Sequence, residues 1–75
     1  MAGELVPIGL RPKLVASFDP PAAEARFRRW QSANAGALAD LPGGAWRVEY
    51  GRTGTGAYVR VRIDEALVPE GLRAE

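Results

Sequence analysis

The chain has 75 residues, enough for one domain and too few for a second. A domain of this length buries only about 60% of the surface its unfolded chain exposes, so its core is thin. It contains no Cys and no His, which removes disulfides, thiol nucleophiles, cysteine-ligated metal sites and the commonest general base.

The net charge of +1 conceals an asymmetry. Residues 1–10 carry Glu4 alone. Residues 11–62 carry nine basic against four acidic residues, so +5. Residues 63–75 set Arg73 against Asp64, Glu65, Glu70 and Glu75, so −3. The body is basic and the tail, residues 65–75, acidic. Nine of the ten basic residues are Arg, which suits flat or bidentate contacts better than Lys does. Residues 1–4 lack the basic lead and apolar run of a signal peptide. No stretch approaches the roughly 18 apolar residues of a membrane span. The expected setting is cytoplasmic, without membrane contact.

Residues 1–12 are apolar but broken by Pro7, Gly9 and Pro12, which predicts an extended arm. Residues 13–18, Lys-Leu-Val-Ala-Ser-Phe, predict a short strand that Asp19-Pro20-Pro21 ends. Asp19 is the expected N-cap of a helix from Pro21 to about Leu41. At 100° per residue Ala23, Phe27, Trp30, Asn34, Ala37, Leu38 and Leu41 share one face. Asn34 is the one polar residue on that stripe, and Gly36 is the expected weak point. Leu41-Pro42-Gly43-Gly44 stops the helix.

The remainder reads as a β-hairpin. Trp46, Val48 and Tyr50 alternate with Arg47 and Glu49; Val59, Val61 and Ile63 alternate with Tyr58, Arg60 and Arg62. Two registers bring the apolar sets onto one face; one would need the poorer turn Thr53-Gly54, and the expected one pairs Tyr50 with Val59, Val48 with Val61 and Trp46 with Ile63. The loop is then Gly54-Thr55, with Gly where a type II′ turn wants it. Glu49 falls opposite Arg60. Arg47 falls opposite Arg62, a like-charge pair that should destabilise the sheet.

The two ends share a heptapeptide. Leu5-Val6-Pro7-Ile8-Gly9-Leu10-Arg11 and Leu67-Val68-Pro69-Glu70-Gly71-Leu72-Arg73 differ only at Ile8/Glu70. Pro fixes an extended backbone and Gly permits a turn, so both ends are expected to dock by one geometry, on this sheet or on a neighbouring copy.

Catalytic equipment is missing. The glycines of residues 51–56 precede a strand, whereas a phosphate loop needs them before a helix. Asp19, Asp40 and Asp64 adjoin element ends, where capping is the usual role. Ser17 and Ser32 have no His to activate them. The chain is therefore expected to be no enzyme, with no catalytic residues, no metal site and no cofactor.

The expected fold is α+β: a single small domain of order β-α-β-β, with a short antiparallel sheet and one helix packed on one face. The expected function is that of a small non-catalytic protein-binding module, of the accessory or inhibitor type found in bacteria and phages. Its site is the outward hairpin face with Arg47, Tyr58, Arg60 and Arg62, together with Arg52 beside the turn, and its partner an acidic protein surface. The alternative is RNA or single-stranded DNA binding by the same face. The bland reading is a solvated sheet face partly neutralised by Glu65 and Glu70 of the tail. A homo-oligomer through the matching termini is a further expectation.

Overall fold

The computed structural model describes residues 12–73. The arm expected over residues 1–12 lies outside them except for Pro12, as does the first copy of the heptapeptide. The described residues form an α+β domain of one three-stranded antiparallel sheet and two helical segments. Strand β1 is Pro12–Phe18, helix α1 Ala23–Ala33, helix α2 Ala35–Ala39, strand β2 Trp46–Thr53 and strand β3 Gly56–Asp64. A single 3-10 turn, Glu65–Leu67, follows. The sheet order is β1-β3-β2, so β3 is central.

The hairpin register is the expected one. Trp46 pairs with Ile63, Val48 with Val61 and Tyr50 with Val59, and the loop is Gly54-Thr55. The turn chemistry differs from expectation. Positive φ falls at Gly56 (133°) and not at Gly54, so the turn is not type II′. The Thr53 hydroxyl organises the tip by accepting from the Thr55 N–H at 3.2 Å.

Strand β1 carries a bulge. Its pairing with β3 runs Lys13 to Ile63 and Leu14 to Arg62, then skips Val15 and resumes with Ala16 to Val61 and Phe18 to Val59. An extra residue inverts the alternation beyond it. Leu14 therefore faces outward with Arg62, while Ala16 and Phe18 face inward with Val61 and Val59. Without the bulge all three even-numbered residues would share a face.

The helix is two segments where one was expected, and the break falls at Asn34 and not at Gly36. Asn34 has φ −113° and ψ 18°, and its N–H is bonded to the carbonyls of Trp30 and Gln31. Asp19 is not the N-cap. The capping position is Ala22, in the left-handed region at φ 60°, with no side-chain cap. Asp19 contributes its carbonyl, which accepts from Arg26 Nη1 at 2.7 Å.

The core lies between the helices and the inner sheet face. Phe18, Ala23, Phe27, Trp30, Leu38, Val59, Val61 and Ile63 are buried, with Leu41, Trp46, Val48, Val68 and Leu72 packed at the edge. Phe18, Phe27 and Trp30 form an aromatic cluster with ring centroids 6.0–6.3 Å apart, within the range where edge-on and offset contacts add to burial. Helix α1 lies over β3 and β1. Strand β2 is therefore less well covered, and Tyr50, expected inward, is 63% exposed. No helix among the described residues is long and apolar enough to cross a membrane.

Candidate functional site

The strand pairing decides which side chains share the outer sheet face. Arg60 and Arg62 alternate with the buried Val59, Val61 and Ile63, so they point away from the core. Their Cα partners on β2 are Glu49 and Arg47; on β1 they are Ser17 and Leu14. Tyr58 stands opposite Gly51. The outer face thus unites Arg47, Tyr58, Arg60 and Arg62 with Glu49, Ser17 and Leu14.

Arg52 does not belong to it. Its register partner is Ala57, and it shares the side of β2 that carries Trp46, Val48 and Tyr50. Arg52 was expected in the partner-binding set from its place beside the turn, and the register puts it on the opposite side of β2 from the other four. Arg52 instead flanks exposed Tyr50 near the hairpin tip.

The like-charge pair is present but relieved. Arg47 and Arg62 are Cα partners, and one carboxylate serves both. Arg62 Nε donates to Glu49 Oε1 at 3.1 Å, and Arg47 Nη2 lies 3.6 Å from Glu49 Oε2. Glu49 reaches diagonally to Arg62 and leaves Arg60, its direct partner, without it. Diagonal neighbours on antiparallel strands are within reach of long side chains.

Arg60 is held by other means. Its guanidinium carbon lies 4.2 Å from the centroid of the Tyr58 ring, and its Nε donates to Ser17 Oγ at 3.4 Å. Among the described residues it has no carboxylate partner. Tyr58 is fixed in turn by Gly51. A Cβ built on Gly51 would fall 2.2 Å from the ring's Cζ and Oη, so the ring occupies the space that a side chain there would need. Sequence reading missed this packing; a glycine within a strand, away from the turn, is the signal that marks a close approach. Leu14, 43% exposed, was missed because only the bulge at Val15 turns it outward.

The described end of the tail packs on the core and the helical layer. Val68 and Leu72 pack on the core, and the Arg73 peptide is hydrogen-bonded to Asn34 and Trp30 of the helical layer. Asp64 caps the 3-10 turn, accepting from the Ala66 N–H at 3.1 Å. No group of three or more potential metal-ligating side chains comes together among the described residues.

Comparison of the chain with known family models, with curated proteins and with solved structures found no match.

Proposed function

We propose that this protein is a non-catalytic binding module that docks an acidic protein surface on its outer sheet face. One observation carries the reading. Arg60 is spread on Tyr58 and tied to Ser17, a cation in fixed position whose guanidinium edge has no carboxylate among the described residues. Pre-ordering of this kind lowers the entropy cost of binding a carboxylate. Around it Arg47 and Arg62 share a single Glu49, so three guanidiniums and one carboxylate leave the patch positive.

Leu14 favours a protein over a nucleic acid. An exposed leucine beside arginines supplies the apolar contact that protein interfaces bury, and it does nothing for a phosphate backbone. A base stacking on Tyr58 would also compete with Arg60 for the ring. An interface of this kind is expected to depend on a central Arg and Tyr more than on the rim.

Affinity capture with nuclease treatment, using wild type and Arg60→Glu, tests the reading. A protein partner retained after nuclease and lost with Arg60→Glu supports it. A partner lost on nuclease treatment, whose binding falls steeply with salt, would establish the nucleic-acid alternative instead.

A further inference from the structure

Asn34 and Trp30 build a second site, independent of the sheet face. Asn34 is 4% exposed, the buried polar residue among the described ones. Its Oδ1 accepts from the Arg73 N–H at 2.8 Å, and its Nδ2 donates to the Arg73 carbonyl at 3.3 Å and to the Trp30 carbonyl at 2.9 Å. The Trp30 indole N–H donates to the same Arg73 carbonyl. The side-chain amide therefore pairs with the N–H and C=O of one residue as a neighbouring strand would, and it reads backbone, not side chain. Ahead of that clamp Val68 and Leu72 rest on the core, and the Leu72 N–H closes a turn on the Pro69 carbonyl at 3.3 Å.

Every group that this seat engages has a counterpart in the first heptapeptide: Val6, Pro7, Leu10 and the peptide of Arg11. The single difference, Ile8 for Glu70, falls at a position whose side chain is exposed. We infer that the seat is a recognition site for the Val-Pro-x-Gly-Leu-Arg sequence, and that its second ligand is residues 5–11 of another copy of this chain. The polarity of the two segments points to another copy. The seated segment runs away from Asp64. Residues 5–11 run toward Pro12, the Cα partner of Asp64, and Arg11 is bonded to Pro12 with no slack. The arm of a second chain is under neither constraint. The chain's own tail competes as a tethered ligand, with an effective concentration in the millimolar range, so self-association of the wild type is weak.

Light scattering over a concentration series tests this, with the NMR resonance of the Trp30 indole N–H as the reporter of the seat. Leu72→Ser weakens the tail and leaves the seat intact. Its mass is expected to rise from 8.0 kDa toward a dimer at roughly tenfold lower concentration than wild type, because the tethered competitor is weakened. Adding Leu10→Ser to it should abolish the association. The inference is overturned if Leu72→Ser stays monomeric, or if the double variant associates as readily. A monomeric Leu72→Ser chain that keeps the Trp30 resonance, and loses it only with Leu10→Ser, would place the arm in its own seat and overturn the assignment to a second copy. Should Leu72→Ser fail to fold, a peptide of residues 4–12 is titrated into the wild-type chain. A shifted Trp30 indole resonance, absent with a scrambled peptide, supports the inference; no shift at millimolar peptide overturns it.

Discussion

Arg60 lies over the ring of Tyr58 with its guanidinium carbon 4.2 Å from the centroid, while its partner across the strand pair, Glu49, turns to Arg62. The sheet-face arginine that has no carboxylate partner among the described residues is thereby positioned by an aromatic ring and not by an ion pair. An exposed contact of this kind is worth about 0.5–1 kcal/mol, enough to fix a rotamer and too little to withhold the guanidinium from a carboxylate.

Gly51 should control this arrangement without contributing a side chain. Gly51→Ala places a methyl where the Tyr58 ring lies, so the ring must move and Arg60 must lose its platform. Stability is expected to change by less than about 1 kcal/mol, because the better strand propensity of Ala opposes the lost ring contact. Nuclear Overhauser contacts between Tyr58 and Arg60 should disappear, and partner binding should fall although no arginine has changed.

Glu49 relieves the repulsion between Arg47 and Arg62. In Glu49→Gln the two guanidiniums face each other uncompensated, at an expected loss of about 0.5–1 kcal/mol in low salt. Screening should shrink the loss in high salt. Urea unfolding at two salt concentrations checks this, and a loss unaffected by salt would contradict the role assigned to Glu49.

Asn34→Asp keeps the size and removes the donors. The carboxylate would then face the carbonyls of Trp30 and Arg73, at an expected cost of about 2–3 kcal/mol. Trp30→Phe, which removes only the indole N–H and some volume, should cost less than Trp30→Ala, for which about 3–5 kcal/mol is expected at this buried site. Thermal unfolding of the three variants gives the order.

Ala22 sits in the left-handed region at φ 60° and ψ 33°, a conformation that costs a non-glycine residue about 1 kcal/mol or more. Ala22→Gly should therefore raise stability by about 0.5–1 kcal/mol, with a rise of a few degrees in Tm.

The hairpin register was legible because two apolar sets with a period of two admit few registers, and of the two with a two-residue loop the pairing of Tyr50 with Val59 is the one formed, although not through the type II′ turn that favoured it. The helical stripe was legible for the same reason, down to the odd polar residue, Asn34. What its amide does was not, since its partner Arg73 lies 39 residues away and no local pattern links them. The bulge at Val15 was also hidden: bulges follow from pairing geometry, and residues 13–18 read equally well without one. Hence Leu14 was missing from the site. Arg52 was assigned by its nearness to the turn, although the alternation that placed Arg47 puts Arg52 on the opposite side. The ion pair of Glu49 followed the diagonal and not the rung, which side-chain length decides.

The central claim is that position on the outer sheet face, and not net charge, governs binding. Affinity for the captured partner should be measured for Arg60→Glu and for Arg29→Glu, an equal change of charge on the exposed side of α1. A large loss with Arg60→Glu beside near-wild-type affinity for Arg29→Glu is the expected result. Equal losses in the two variants, or none in Arg60→Glu, would contradict it.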